Sequence, residues 1–264
     1  MRYLTIVLTI TLSTVGLARC EEPLQLRYQE GFGPMTLMLT QDIEVRQPIA
    51  GREMAFDVTM ATDPDAASAS LVIESAKASY SAHGMTQRLS TRHLAGAVIP
   101  LAILGGGRQL SELEPADAPV FDLGPPVSGG YSVAAMLMGV LPKLPETPVS
   151  VGVSWSTERN VRSIEGWSWG AGALRSRHRV TSIDTRHGRT IVSVESEAEA
   201  TLRSGEGERD YSGELKRSLH WTFDATMGRL LSISMEQVTE GLGAMPQGEL
   251  PIHQRTVLEL SPAA

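Results

Sequence analysis

The segment from Leu219 to Met235 reads LHWTFDATMGRLLSISM and carries the most telling alternation in the chain. Leu219, Trp221 and Phe223 alternate with their neighbours, and after a turn at Met227-Gly228 the alternation resumes with Leu231, Ile233 and Met235. A period of two places one set of side chains on each face of an extended strand. A glycine free to adopt φ > 0 lets two such strands fold back as a hairpin. The segment therefore predicts an antiparallel pair with one buried face and one wet face.

The same period recurs on both sides of this hairpin. Leu24, Leu26 and Tyr28 alternate, as do Met54, Phe56, Val58 and Met60, and near the end Leu258 and Leu260. Glycine-bearing breaks follow at Ala50-Gly51, His83-Gly84, Gly105-Gly106-Gly107 and His187-Gly188. Roughly ten to thirteen strands are expected on this rule. The fold class is mainly β.

One stretch departs from the pattern. Ser128 to Leu141, SGGYSVAAMLMGVL, is apolar at almost every position. Tyr131, Ala134, Ala135, Met138 and Leu141 share one helical face, while Val133, Met136, Leu137 and Val140 cover most of the other. A helix apolar all round has to be buried or covered. Pro142 and Pro145 stop it, and residues 115–148 read as a proline-rich connector.

A shift of 121 positions aligns the chain with itself across this connector. Glu74-Ser75 meets Glu195-Ser196, Gly84 meets Gly205, Arg88 meets Arg209, and Gly107-Arg108 meets Gly228-Arg229. Nine of the 43 pairs between positions 71 and 113 are identical without a gap, where composition alone supplies about three. The expected organisation is a leader at 1–20, a first β-rich half at 21–114, the connector with its apolar helix at 115–148, and a second β-rich half at 149–264.

The leader, MRYLTIVLTITLSTVGLARC, has a basic start at Arg2 and an uncharged run from Leu4 to Leu17. It is shorter than a membrane-spanning helix and reads as a secretory signal peptide. Two endings are open. Gly16-Leu17-Ala18 offers small residues for ordinary cleavage after Ala18. Leu17-Ala18-Arg19-Cys20 resembles a lipobox in which Cys20 is lipidated, although Arg19 stands where a small residue is usual. Cys20 is the chain's single cysteine, so neither a disulfide framework nor a cysteine-based metal site is expected. The formal net charge of −7 speaks against a nucleic-acid footprint.

The chemistry-bearing residues are scattered. The six histidines form no HxH or HExxH pair, so no metal site is spelled out. Gly152-Val153-Ser154-Trp155-Ser156 lacks the second glycine of a nucleophile elbow and reads as a strand start. Glu195, Glu197 and Glu199 share a face with a solvated role, opposite Arg175, Arg177 and Arg179 on a neighbouring strand, a pairing that pins register. All four tryptophans, Trp155, Trp167, Trp169 and Trp221, lie in the second half. They either fill a β core or line a cavity or a partner surface. Met136 and Met138 have the adaptability of a ligand-facing side chain.

The run Leu144-Pro145-Glu146-Thr147-Pro148-Val149-Ser150-Val151-Gly152-Val153-Ser154-Trp155 resembles a motif of an uncharacterised family of exported bacterial proteins, often lipoproteins. That motif has a Leu-Pro, a Pro-Val, a Val-Gly and a Trp midway between two β-rich halves. The turn from Phe223 to Leu230 is similar to a second feature of the family. Val153 departs from it, standing where an acidic residue is usual. The wider resemblance is to periplasmic lipoprotein carriers, in which a bent antiparallel sheet is closed by a helical plug over an apolar cavity. It implies two related curved antiparallel sheets, a half-barrel-like tandem repeat, with a short apolar helix between them. This is analogy of architecture, not of activity.

The expectation is thus an exported, non-enzymatic protein of the periplasm or cell envelope. Its partner is an apolar small molecule or lipid held between sheet and helix, with Tyr131, Met136, Leu137, Met138, Trp155, Trp167, Trp169 and Trp221 as the candidate ligand-binding residues. The alternative is a structural or interaction module that binds an envelope protein through edge strands or a tryptophan face. A hydrolase would require a histidine with a carboxylate and a nucleophile in reach. No metal, cofactor or nucleic acid is expected, and the membrane is contacted only through a lipid at Cys20.

Overall fold

The computed structural model describes residues 23–29, 35–45, 52–62, 71–82, 84–99, 101, 103–110, 121–122, 130–131, 137, 139–161, 171–203, 211–245 and 248–262. The leader with Cys20 and the residues Met136, Met138, Trp167 and Trp169 lie outside them.

The protein is mainly β, and its sheets are antiparallel and not closed. The first long strands are β1 (Met35–Val45), β2 (Arg52–Thr62), β3 (Leu71–Ala82) and β4 (Met85–Leu89). Five two-residue strands follow: β5 (Val98–Ile99), β6 (Ile103–Leu104), β7 (Gln109–Leu110), β8 (Phe121–Asp122) and β9 (Gly130–Tyr131). The second series is β10 (Ser154–Val161), β11 (Gly172–Arg186), β12 (Arg189–Arg203), β13 (Tyr211–Asp224), β14 (Arg229–Met245) and β15 (Gly248–Pro262).

The ten long strands lie in the order β10-β11-β12-β13-β14-β15-β1-β2-β3-β4, with β5 beside β3. The two-part organisation is visible in this order, because the second series forms one unbroken meander and the first series continues it. They are joined where β15 pairs with β1, from Met35↔Pro262 to Val45↔Ile252. The β6–β7 and β8–β9 pairs stand apart as two small ribbons.

Alternation builds the strands, and bulges correct its phase. Trp221 and Phe223 are buried, as are Ile233 and Met235, but the register pairs Phe223 with Leu230 and Thr222 with Ser232. Leu231 is the extra residue, so Leu230 and not Leu231 enters the core. A bulge gives one strand an unpaired residue and flips the side chains beyond it. The same happens on β3, where Thr59 pairs with Ser75 and Met60 with Ile73, and on β11 between Val180 and Ser182. Among the described residues, turns fall at the expected glycines Gly84, Gly105 to Gly107, Gly188 and Gly228, while Ala50-Gly51 lies outside them. His187 (φ 52°) and Gly188 (φ 76°) close the two-residue β11–β12 loop, with both residues at positive φ as a type I′ turn demands. On the outer face Arg175, Arg177 and Arg179 stand directly opposite Glu199, Glu197 and Glu195.

Three segments cover the inner face. An extended piece, residues 24–29, buries Leu26 and Tyr28. A turn-rich piece at 92–110 adds Leu94, Ile99, Leu101 and Leu110, and residues 137–149 add Leu137, Val140, Leu144 and Val149. All join one core with Val58, Met60, Trp221, Phe223 and Leu258 from the sheet. The apolar helix expected over this segment is not seen among the described residues: Gly130–Tyr131 is strand β9, paired with β8, and only Leu137, Gly139 and Val140 are helical, with the Leu141 N–H reaching the Leu137 carbonyl at 3.0 Å. The rest of that segment between Ser132 and Met138 lies outside the described residues.

Gly107 and Gly228, equated by the 121-residue shift, both end tight turns at positive φ, +89° and +63°. Their carbonyls accept the N–H groups of consecutive residues, Tyr28 at 2.6 Å and Gln29 at 2.9 Å. The first covering segment is thereby clasped between the two hairpins. A Cβ on Gly228 would lie 2.7 Å from the Arg27 carbonyl oxygen, which is why glycine is needed there.

Candidate ligand-binding face

On the inner face two apolar clusters are separated by a polar band. The larger cluster is the core already described. The smaller one contains Val161, Leu174, Ala198, Ala200, Leu202, Tyr211, Leu215 and Ile252. The band is set by register: Thr157 pairs with Ser176, Ser176 with Ala198, Ala198 with Arg217, Arg217 with Gln237, and Gln237 with Thr256. On its flanks stand His178 opposite Ser196, and Thr239 opposite Gln254. His178, Ser196, Arg217, Gln237, Thr239, Gln254 and Thr256 are all buried.

At one side of the band is a hydroxyl–imidazole network. His178 Nδ1 lies 2.7 Å from Ser196 Oγ and its Nε2 lies 2.9 Å from Thr157 Oγ1. Trp221 Nε1 donates to Ser196 Oγ at 3.0 Å. The Trp155 ring stacks on the imidazole at 4.9 Å and meets Trp221 edge-on at 6.2 Å. Burial, and then the charge of Arg159, lower the His178 pKa to about 4. The imidazole is therefore neutral near neutral pH, donating through one nitrogen and accepting through the other. Thr157 and Ser196 both meet the ring through hydroxyls.

At the centre is Arg217. Its Nε and Nη2 donate to Gln237 Oε1 at 3.0 and 2.5 Å, and its Nη1 donates to the Gly139 carbonyl at 2.7 Å. These acceptors are neutral, and among the described residues Arg217 forms no ion pair. Burial, and then the charge of Arg159, push its pKa down from the usual guanidinium range. Beside it, Gln237 Nε2 and Thr239 Oγ1 are buried without a hydrogen-bond partner. Each such group costs about 1–3 kcal/mol of desolvation left uncompensated.

The expected site residues fall as follows. Trp221 is fully buried in the large core and Leu137 joins it. Trp155 is half-buried against that core and donates Nε1 to the Lys143 carbonyl at 3.2 Å. Tyr131 ends the short strand β9. Met136, Met138, Trp167 and Trp169 belong to the residues not described. The structure thus brings Trp155, Trp221 and Leu137 to one face. It adds a polar band that no motif along the chain spells out. The signal for it was present, because Arg217 sits in phase with Leu215 and Leu219, Gln237 with Ile233 and Met235, and Ser196 with Val194 and Ala198. Each is a polar interruption of an apolar stripe.

Among the described residues no group of three or more His, Cys, Asp or Glu is placed to hold a metal ion. Nor is any described helix long and apolar enough to cross a membrane. Fold and face together define a class: an open antiparallel β-sheet protein whose covered inner face is apolar at both ends and polar between. No protein-family model matches the chain, and no curated protein matches it in sequence.

Proposed function

We propose that this chain is an exported, non-enzymatic protein of the cell envelope that holds an apolar, lipid-like ligand against the inner face of its sheet, beneath the segment around residues 137–149. The carrying observation is the division of that face into two apolar clusters with buried, partly unpartnered polar groups between them. A core whose only task is packing gains nothing from buried polar atoms that lack partners. An amphiphile matches such a lining, its hydrocarbon on the clusters and its polar part on the band. Export rests on the leader, with the mature protein either released after Ala18 or anchored through a lipid on Cys20. The intact mass of the mature N terminus distinguishes the two.

Native mass spectrometry of the purified full chain, followed by organic extraction, tests the reading. A co-purifying lipid-sized adduct that extraction removes is the expected result. A protein that carries no adduct and takes up no added lipid overturns it. A second reading is an interaction module that pairs with an envelope protein through an open edge. It is favoured by β10, whose pairing is with β11 alone among the described strands and whose outward residues Ser154, Ser156, Glu158 and Asn160 are exposed.

A further inference from the structure

The polar band has a specific chemical bias. Arg217 carries five N–H donors, of which three have acceptors among the described residues. One donor remains on each Nη. Because Gln237 Oε1 is occupied by Arg217 Nε and Nη2, the amide orientation is fixed and its Nε2 is turned away as a free donor. Thr239 stands two residues along the same strand, on the same face, with its hydroxyl unpartnered. Gln237 and Thr239 are 1% and 0% exposed. The unsatisfied inventory is therefore almost wholly donors, set around a buried cation whose present acceptors are neutral. The half-buried Arg159 adds a second positive charge to the same electrostatic environment. Donors without acceptors around a desolvated guanidinium call for an anionic oxygen acceptor.

We propose that Arg217, Gln237 Nε2 and Thr239 Oγ1 form a subsite for the carboxylate head of a long-chain amphiphile, whose hydrocarbon tail lies on the apolar clusters that flank the band. A planar carboxylate has two oxygens to receive one N–H from each Nη and leaves lone pairs for the amide and the hydroxyl. Binding would give the buried guanidinium, now held by neutral acceptors alone, a charge-compensating partner. This subsite rests on the lipid-binding reading and refines it by naming the head group.

The test is calorimetric titration of the full chain with oleate and with methyl oleate, which share a tail and differ in charge. Oleate is expected to bind wild type more tightly by about tenfold or more, the scale of a charge-assisted contact. Arg217→Gln should bring oleate down to the affinity of the ester while leaving the ester unchanged. Thr239→Val, which keeps shape and removes the hydroxyl, should weaken oleate by about threefold, a modest hydrogen-bond loss, again sparing the ester. It provides the decision if Arg217→Gln does not fold. Equal affinities of wild type for acid and ester overturn the carboxylate subsite and leave lipid binding standing. Unchanged oleate preference in Arg217→Gln, or in Thr239→Val if the arginine variant is unfolded, also overturns it. No binding of either compound overturns both readings.

Discussion

Acidification should destabilise this fold through one imidazole. His178 is buried between β10 and β12, held by the hydroxyls of Thr157 and Ser196 and stacked under Trp155. Its folded pKa of about 4, depressed by burial and by Arg159, compares with 6.5 in the unfolded chain. The unfolded state therefore takes up the proton first, and the stability present above pH 6.5 is lost as pH falls toward 4. With these two values, linkage gives a loss of about 2 kcal/mol between pH 7 and pH 5 from this residue alone. His178→Asn keeps a neutral donor and acceptor at the site and removes the titration. At pH 7 the variant should be less stable by about 1–2 kcal/mol, the scale of one poorly replaced buried hydrogen bond. The two proteins should then converge as the pH approaches 5. Urea unfolding followed by tryptophan fluorescence at pH 7, 6 and 5 reads both quantities. If His178→Asn loses as much stability as wild type across that window, the imidazole is not the group responsible and the argument fails.

Three further perturbations probe the frame around the site. Asp224 is buried at the β13–β14 turn; burial alone would raise its pKa, but Arg189 and the Thr226 and Met227 N–H groups hold it below the usual value. Asp224→Asn keeps the turn bonds and weakens the arginine contact, so a loss of about 2 kcal/mol is expected by denaturant titration at pH 7. Gly84→Ala and Gly228→Ala both place a side chain at positive φ, but only at Gly228 would the new Cβ collide, 2.6 Å from Gln29 Cβ. Gly84→Ala should cost about 1–2 kcal/mol, while Gly228→Ala should cost more and expose the Gln29 amide to rapid hydrogen exchange. Trp221→Ala empties the centre of the large core and should cost about 3–5 kcal/mol, measured as a fall in urea midpoint.

The strands were readable because their instructions are local. Trp221 and Phe223 announce one face, and the Arg175-Arg177-Arg179 and Glu195-Glu197-Glu199 triplets announce their own register through charge alone. The bulges were not readable, because whether Leu230 or Leu231 turns inward depends on how β13 meets β14, and each strand alone permits either. The polar band escaped for a related reason. Its members are 18 to 21 residues apart along the chain where His178 meets Ser196 and Thr157, and motif spacing within one strand cannot pair them. Arg217 illustrates the remedy: a charged residue in the inward phase of an apolar stripe marks a site even when no motif surrounds it.

The β15–β1 pairing gives the sheet an unusual dependence on chain order. The last described strand lies in the interior of the sheet, between β14 and the first strand, and not on a rim. Deleting it would not trim an edge; it would sever the sheet into two pieces, each with a newly exposed ladder of unpaired backbone groups. β1 pairs locally with β2 on one side, but its other edge is paired only once β15, far along the chain, is in place, a long-range closure of the kind that slows folding. A chain emerging from its N terminus keeps that edge of β1 open until β15 has arrived.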